Sequence, residues 1–149
     1  RSRYRRLAMK YVADTNVVSE LMKKEPSVEV VDWFFDHEGD VYLTSVTIKE
    51  LYFGMLRLPE GKRRRRLEET IGAIALDCSD KTFSFVAFSG YLCARLHELA
   101  LASGRTPTME DLMIAAICQR NSAVLATRNI KDFDYLGIEA VNPFEPAAR

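Results

Sequence analysis

Short apolar runs alternate along the chain with longer segments whose apolar residues recur at helical spacing. The apolar runs predict five buried strands, at residues 11–14, 40–45, 74–78, 123–127 and 138–142. The periodic segments predict helices, at residues 17–23, 28–37, 46–58, 61–75, 80–104 and 109–121. Strands and helices therefore alternate through most of the chain.

This alternation is typical of an α/β sandwich, in which a parallel sheet carries helices on both faces. In such sheets ligands bind beyond the carboxyl ends of the strands. Asp14 follows the first predicted strand in YVAD, and Thr127 ends the strand AVLAT. We therefore expect both side chains to face one crevice.

Length and composition indicate one globular domain. The chain has 149 residues, of which 48% are hydrophobic and 28% charged, which is ordinary for a folded domain and argues against disorder. No apolar run approaches the roughly 20 residues that a membrane-spanning helix needs. Three scattered cysteines, Cys78, Cys93 and Cys118, suggest small buried side chains in a reducing cytosol. Two histidines, His37 and His97, offer little material for a zinc site or a Ser-His-Asp triad.

The net charge of zero conceals an asymmetry. Residues 1–8, RSRYRRLA, contain four arginines and no acid, so the 21 basic residues fall to 17 against 21 acids beyond them. Met9 resembles a natural start, and we expect residues 1–8 to be a non-native or disordered extension. The remaining domain is modestly acidic and needs local basic patches if it binds nucleic acid.

Four acids occupy positions that apolar periodicity does not explain. Asp14 ends the first strand, Glu50 follows the second strand, Asp111 opens a helix, and Asp132 follows the strand AVLAT. Carboxylates gathered in one cleft repel one another unless a cation binds between them. Oxygen ligands without nearby Cys or His suit Mg²⁺ or Mn²⁺. Such ions can activate water and stabilise charge on a phosphodiester.

Each of these acids also fits a purely structural role. Thr47 with Glu50, and Thr108 with Asp111, resemble capping boxes at helix starts. The other two acids could cap the helix or turn that follows them. Taken singly, the structural role is the stronger interpretation. Their joint occurrence in this order favours a shared site.

The same segments resemble a known family. The stretches ADTNVVSEL, SVTIKELYFGMLRLPEGKRRRRLE, EDLMIAAICQ and LATRNIKDFDYLGIEAVNPFE resemble the PIN-domain nucleases, in particular bacterial VapC-type toxins and FitB proteins. The resemblance runs from about residue 10 to 145. It implies a PIN-like three-layer α/β/α sandwich with a mainly parallel central sheet, formed by residues 9–145 and followed by a tail at 146–149.

The resemblance also implies an activity. Members of this family are typically Mg²⁺-dependent (or Mn²⁺-dependent) endoribonucleases that hydrolyse RNA with a metal-activated water. They act as the toxin of a type II toxin–antitoxin pair, are inhibited by a cognate antitoxin, and usually form homodimers, some in higher assemblies with the antitoxin. We therefore expect a cytoplasmic ribonuclease with RNA and an antitoxin as partners, and no membrane association.

By position, the resemblance implies that Asp14, Glu50, Asp111 and Asp132 are catalytic, with Asp14 and Asp111 as metal ligands. Some relatives have Asp where this chain has Asn129, so the fourth acidic role is assigned here to Asp132. Supporting hydrogen bonds are expected from polar neighbours, namely Thr15, Asn16, Thr47, Thr127 and Asn129.

Basic and apolar surfaces are candidates for partner contacts. The run KRRRR at 62–66 is either a solvated helix end or a rim that contacts RNA phosphates, and the RNA-binding candidates are Arg63, Arg64, Arg65 and Arg128. An aromatic and aliphatic surface could receive an antitoxin helix or belong to the core, and it comprises Trp33, Phe34, Phe35, Tyr52, Phe53 and Met55. The predicted helix 80–104 is apolar nearly all round, which favours burial or a homodimer contact.

Other classes fit less well. A haloacid-type aspartyl phosphatase requires D-x-D after the first strand, and Asn16 occupies its second place. A receiver domain requires a phosphoacceptor Asp after a central strand and a later Lys, whereas the strand VYLTS ends on Ser45. A PIN-like protein that binds RNA or a partner with weak or no cleavage remains an alternative.

Overall fold

The computed structural model describes residues 8–147. The predicted extension, apart from residue 8, and the last two residues of the predicted tail lie outside this range. Five strands are formed, namely β1 (Tyr11–Ala13), β2 (Val41–Thr44), β3 (Thr82–Phe83), β4 (Val124–Ala126) and β5 (Ala140–Val141). Six α-helices are formed, namely α1 (Thr15–Leu21), α2 (Val28–Asp36), α3 (Ser45–Leu56), α4 (Lys62–Asp77), α5 (Ala87–Ala102) and α6 (Met109–Asn121).

The strands form one parallel sheet in the order β3-β2-β1-β4-β5. Tyr11 on the central strand β1 pairs with Val41 of β2 on one side and Val124 of β4 on the other. The chain builds outward from β1 to β3 and then crosses to β4, so β1 and β4 flank a topological switch point. Such points are the usual ligand sites of open parallel sheets.

Two hydrophobic cores lie on opposite faces of the sheet because consecutive strand residues point in opposite directions. Val12 packs in the core that contains α5 and α6, whereas Ala13 packs in the core that contains α1 to α4. Helix α6 is central, with Ile114, Ala115 and Ile117 all fully buried. The predicted three-layer α/β/α sandwich with a parallel sheet is confirmed.

The prediction was wrong in the middle of the chain. Residues 74–77, expected as a strand, continue helix α4, and Ile71 and Ile74 pack three residues apart into one core. A short apolar run fits a strand or one turn of buried helix equally well. The third strand is Thr82–Phe83, which pairs with Leu43 and Thr44.

The long helix predicted from Asp80 begins later, at Ala87. Asp80 lies in a 3₁₀ turn at Ser79–Lys81 that leads into β3. Helix α5 buries Cys93 and Leu96, while Phe88 and Tyr91 are more than half exposed. Only one of its faces is therefore covered. Within residues 8–147, no helix has the length and apolarity that a membrane span requires.

Candidate functional site

Asp14 is the buried centre of the site. It follows β1, caps the N-terminus of α1 and is only 5% exposed. Its Oδ1 accepts a hydrogen bond from the backbone N–H of Thr15 at 2.8 Å, and its Oδ2 accepts one from the Thr127 hydroxyl at 2.8 Å. The strand ends on a carboxylate because the helix amide and the neighbouring strand both supply donors for it.

Polar side chains from the ends of β1 and β4 form one network around Asp14. The Asn16 amide lies 3.2 Å from Asp14 Oδ2, and its carbonyl accepts from the Arg128 backbone N–H at 3.2 Å. The Thr127 hydroxyl accepts from the Asn129 backbone N–H at 3.1 Å. This network ties the loop after β4 to the start of α1 and fixes the Asp14 carboxylate.

Glu50 approaches from α3, after the second strand. The Thr15 hydroxyl donates to Glu50 Oε1 at 2.7 Å, and Thr47 Oγ1 lies 3.3 Å from the same hydroxyl. The capping box expected for Thr47 and Glu50 was wrong. The cap is Thr44, whose side chain accepts from the Thr47 backbone N–H at 3.0 Å. Glu50 is therefore left to face the site.

Asp111 lies in the first turn of α6. Its backbone N–H donates to the hydroxyl of Thr108, the N-cap residue, at 3.2 Å, as the sequence predicted. The position close to the helix N-terminus favours a negative charge. Helix α6 thus carries Asp111 on its first turn and the core residues on the turns that follow.

Asp132 and Asn129 lie in the segment after β4. The backbone N–H of Asp132 donates to the Asn129 carbonyl at 3.0 Å, in a 3₁₀ turn at Ile130–Asp132. Both side chains are exposed. Asp132 raises the pKa of both Asp14 and Asp111 through its charge. The structure therefore brings all four predicted acids into one neighbourhood.

Burial and mutual repulsion raise the pKa values of three carboxyls. Burial is the main cause for Asp14 and Glu50, whose pKa values lie above their ordinary ranges, and hydrogen bonds from Thr127 and Thr15 oppose it. Asp111 has its pKa raised from 3.8 to about 6 by burial and by the charges of Asp14, Asp132 and Glu50. A divalent cation bound between these carboxylates would offset their repulsion.

The donor set fits a hard divalent cation. The side chains around Asp14 offer only carboxylate, hydroxyl and amide oxygens, which are the ligands of Mg²⁺ and Mn²⁺. Among residues 8–147, no group of three or more His, Cys, Asp and Glu side chains is spaced to hold a metal directly. The arrangement suits an ion with one or two carboxylate ligands and several waters, which is the usual state of Mg²⁺ in proteins.

A groove of about 600 Å³ opens from the carboxylates between α1, α3 and α4. We call it the basic groove, because Thr15 and Glu50 lie among its lining residues together with four cations, Lys23, Lys24, Arg63 and Arg66. Of the predicted RNA-binding residues, Arg63 lines this groove. Arg64 and Arg65 point to another side of the helix and line a separate cleft with Glu60 and Glu68.

Arg128, the fourth predicted RNA-binding residue, lies beside the site. Its guanidinium carbon is 3.8 Å from the centroid of the Phe144 ring, which is a cation–π contact. The pKa of Glu20 is lowered mainly by its hydrogen bond with Lys23, and the charge of Arg128 adds a small contribution. Arg128 is exposed and is thus held by Phe144 at the edge of the site.

The aromatic surface predicted from the sequence divides into separate parts. Phe34 and Phe35 line an apolar groove of about 620 Å³ between α1, α2 and α4. Trp33 packs edge-on to Tyr11 with 5.6 Å between ring centroids. Phe53 is 52% exposed on α3, and Met55 is buried in the core. We call the groove lined by Phe34 and Phe35 the apolar groove.

Sequence reasoning missed several polar residues near the carboxylates. Lys23, Lys24 and Arg66 line the basic groove, and Lys49 of α3 pairs with Glu110 of α6 at 2.8 Å. Periodicity could have assigned Arg66 to the face of Arg63, since the two are three residues apart. No sequence signal placed the lysines, because their position depends on how α1 and α4 pack.

Known proteins resemble this chain over most of its length. The family model described as PIN domain matches residues 11–138. The chain is 33% identical over 138 residues to VapC ribonuclease Y4jK of Sinorhizobium fredii, covering 91% of this chain and 99% of that protein. It is 29% identical to Toxin FitB of Neisseria gonorrhoeae, covering 88% of this chain and 96% of that protein.

A solved structure of FitAB bound to an IR36 DNA fragment superposes with a TM-score of 0.85 at 27% identity. The superposition covers 93% of this chain and 99% of that chain. The family match spans most of the chain, and the relatives are matched over nearly their whole length. This chain therefore belongs to the PIN domain family.

Proposed function

We propose that this protein is an endoribonuclease and the toxin of a toxin–antitoxin pair, and that it depends on Mg²⁺ or Mn²⁺. One observation carries the site assignment. Asp14 is buried at the sheet switch point, and burial together with the charges of neighbouring acids raises the pKa values of Glu50 and Asp111 beside it. The names of the relatives VapC ribonuclease Y4jK and Toxin FitB support the activity.

The proposed roles follow from position. Asp14 and Asp111 would hold the ion, and Glu50 and Asp132 would act at its waters as the other catalytic carboxylates. A bound divalent ion supplies an acidified water and offsets charge on the phosphodiester. The Thr15 hydroxyl orients Glu50, and the Thr127 hydroxyl orients Asp14.

We propose that the basic groove binds the RNA backbone. The groove includes Glu50 and places Arg63 and Arg66 on one face of α4, at the helical spacing of three residues. Cations that neutralise phosphates supply most of the sequence-independent affinity for nucleic acids. We do not include Arg64 and Arg65 in this role because they lie in a separate cleft. Arg128, beside the site, is a further candidate.

We propose an antitoxin as the protein partner, bound in the apolar groove. Phe35 is 62% exposed there, and Phe34 lies beside it with Ile74 of α4. An amphipathic helix laid into such a groove is a common recognition mode. The neighbouring FitAB structure carries FitB, which resembles this chain, together with FitA.

Cleavage of RNA tests the catalytic proposal. We expect wild-type protein to cut a mixed-sequence RNA with Mg²⁺ or Mn²⁺ and to lose this activity in excess EDTA. Asp14→Asn and Asp111→Asn should each reduce the rate by at least about a hundredfold, since each removes a metal ligand. Asp134→Asn is the matched control, because Asp134 is an exposed acid of the next turn. Wild-type rates in both site variants would reject the assignment.

The fourth position needs its own comparison. Asp132→Ala should reduce cleavage more than Asn129→Ala, because Asp132 adds charge to the carboxylate cluster while both described hydrogen bonds of Asn129 are made by its backbone. The opposite order would assign the position to Asn129. Growth arrest on induction, relieved by a small adjacent open reading frame, would separate a toxin from a housekeeping nuclease.

A further inference from the structure

A second cleft meets the carboxylates and shares no lining residue with the basic groove. It has a volume of about 340 Å³ and is lined by the segment 105–108, Asp111, Asp132 and Tyr135. This volume is at the lower end of the range for small-ligand sites. We call it the Arg105 cleft. It shares Asp111 and Asp132 with the carboxylate cluster, so anything bound there lies next to the proposed reaction centre.

The main chain fixes Arg105 in place. Helix α5 ends in a Schellman motif, with the Arg105 N–H donating to the Ala100 carbonyl at 2.9 Å and the Gly104 N–H donating to the Leu101 carbonyl at 3.1 Å. Gly104 has φ +71°, a conformation that favours glycine. Arg105 therefore leaves the end of α5 in a defined direction.

Tyr135 is fixed from the other side of the cleft. It lies in a 3₁₀ turn at Asp134–Leu136, between Phe133 and Leu136, which are 1% and 3% exposed. Gly137 closes the turn at φ +74°. The two buried neighbours anchor the turn in the core, and the half-buried Tyr135 ring is left at the cleft wall.

Arg105 lies over the Tyr135 ring, with 4.5 Å between the guanidinium carbon and the ring centroid. Among residues 8–147, Arg105 forms no ion pair within 4.0 Å with Asp111 or Asp132. The guanidinium is therefore held by the aromatic face and not by the carboxylates. Its plane and its N–H edge remain available to a ligand, since Arg105 is exposed.

We propose that the Arg105 cleft binds the nucleotide next to the scissile phosphate, with the base stacked on the Arg105–Tyr135 pair and the guanidinium edge directed to a phosphate oxygen. This inference rests on the proposed ribonuclease function, because a phosphate is scissile only if the protein cuts RNA. The proposed binding of a nucleotide in the cleft does not depend on cleavage. Bases of single-stranded RNA stack on aromatic rings and on Arg guanidinium planes.

The chemistry of the cleft favours a nucleotide over an acidic peptide. Two carboxylates, Asp111 and Asp132, line it beside a single cation, so charge alone attracts neither anionic ligand and a contact of another kind must supply the affinity. A nucleotide presents a planar base to the stacked pair, and its phosphate can share a divalent ion with the carboxylates. In this arrangement the RNA backbone would continue from the proposed reaction centre into the basic groove.

Binding by an inactive protein tests the inference. In the Asp14→Asn background, affinity for a 5′-fluorescein single-stranded RNA of nine nucleotides is measured by anisotropy in Mg²⁺. The measurement is repeated with one abasic residue at each position in turn. We expect one position at which base loss weakens binding by roughly 5- to 100-fold, the range for removing one base stack.

Variants then connect that position to the cleft. Tyr135→Ala and Arg105→Gln should reduce the position-specific loss to less than about twofold, whereas Tyr135→Phe should preserve it because the ring remains. Phe53→Ala with Arg57→Gln is the matched control, since Arg57 also lies over an exposed ring, Phe53, at 5.8 Å on and just after α3. Thermal unfolding of each variant verifies folding.

The outcomes separate the competing explanations. An unchanged position-specific loss in Tyr135→Ala, or no sensitive position at all, overturns the inference. Antitoxin capture that fails in Tyr135→Ala while RNA binding is unaffected overturns it in favour of a protein ligand. If wild-type protein cuts no RNA but the position-specific effect and its loss in Tyr135→Ala are observed, the nucleotide site stands and the proposed catalysis falls.

Discussion

At the scale of single residues, hydroxyl groups orient the carboxylates and oppose the rise in their pKa values. The Thr127 side chain is fully buried, donates to Asp14 at 2.8 Å and accepts from the Asn129 N–H at 3.1 Å. It therefore couples the most buried acid to the loop that carries Asp132. Groups that orient metal ligands in this way are commonly worth one or two orders of magnitude in affinity or activity.

Thr127→Val removes this hydroxyl with little change of shape. We expect RNA cleavage to fall by about 10- to 100-fold and the free energy of unfolding to fall by about 1–3 kcal/mol, because a buried carboxylate loses a donor. Kinetics and chemical denaturation measure the two effects.

Thr82→Val is the control for this prediction. Its hydroxyl donates to the Cys78 carbonyl at 2.6 Å, away from the carboxylates. This variant should lose stability but keep its cleavage rate. Equal losses of activity in the two variants would contradict a specific role for Thr127.

Asp111 makes the stability of the metal-free protein depend on pH. Its pKa in the folded protein is about 6, against an ordinary value of 3.8. Between these values the folded state binds more protons than the unfolded state, so the contribution of Asp111 to stability falls as pH rises through this window. Above pH 6 the ionised carboxyl is a cost to the fold.

Asp111→Asn should therefore stabilise the metal-free protein at pH 7.5 while abolishing cleavage. We expect a gain on the order of 1 kcal/mol, a value reduced for solvent screening because the carboxyl is partly exposed. The gain should vanish below about pH 4. Denaturation in EDTA at several pH values measures it.

A metal titration sharpens this test. Mg²⁺ should stabilise wild-type protein more than Asp111→Asn, since binding to the folded state alone raises stability. Asp134→Asn should follow wild type in both measurements. A wild-type pH profile in Asp111→Asn would contradict the assigned pKa.

At the scale of elements, helix α4 separates charges that are adjacent in the sequence. Arg63 and Arg66 line the basic groove with Leu67 and Ile71, whereas Arg64 and Arg65 lie in another cleft. Because Ile71 is fully buried, the core fixes the rotation of the helix. The run KRRRR therefore has one face toward the proposed RNA path and one face away from it.

The double variant Arg63→Gln/Arg66→Gln should weaken binding of single-stranded RNA and lower the slope of log affinity against log salt by about 1.4, because each lost phosphate contact on a single strand contributes about 0.7. Cleavage at saturating RNA should change little. Anisotropy titrations between low and moderate salt measure the slope.

The matched control, Arg64→Gln/Arg65→Gln, has the same change of net charge on the same helix. It should leave the slope within about 0.3 of wild type, since neither side chain faces the groove. Equal slopes in the two double variants would show that only the total charge of α4 matters.

At the scale of the whole molecule, residues 8–147 form two exposed apolar surfaces that suit partner binding. The apolar groove contains Phe35, and the exposed face of α5 contains Phe88 and Tyr91, whose rings stack with 5.9 Å between centroids. A homodimer and an antitoxin complex each need one such surface, and contiguous exposed apolar patches are typical of interaction sites. We propose that the groove binds the antitoxin and that the α5 face binds a second copy.

Phe88→Glu should shift the protein from dimer to monomer in light scattering while leaving antitoxin capture intact. Phe35→Glu should do the reverse. A charge placed in an apolar interface typically costs several kcal/mol of association free energy. If one variant loses both dimerisation and antitoxin capture, the two surfaces act as a single interface. If neither variant loses either property, both proposals are wrong.

Much of the site could be predicted because its residues lie next to the ends of predicted strands and helices. Asp14 and Thr127 follow buried strands, so parallel pairing brings them to one edge of the sheet. Asp111 follows the capping Thr108 at the start of α6, the helix that leads into β4. Glu50 was also named from the sequence as one of the four unexplained acids, and its structural interpretation as part of a Thr47 capping box was wrong because Thr44 precedes the helix at the required distance.

The sequence by itself determined the strand–helix order, the parallel sheet and the acids at the strand and helix ends, because these depend on local periodicity and on residues next to one another. Only the tertiary structure decided where α4 ends, which arginines share its inner face, and that Arg105 lies on Tyr135 beside Asp111. Those arrangements depend on helix rotation and on contacts between distant segments. Packing of side chains in the two cores fixes both, and no short stretch of sequence contains that information.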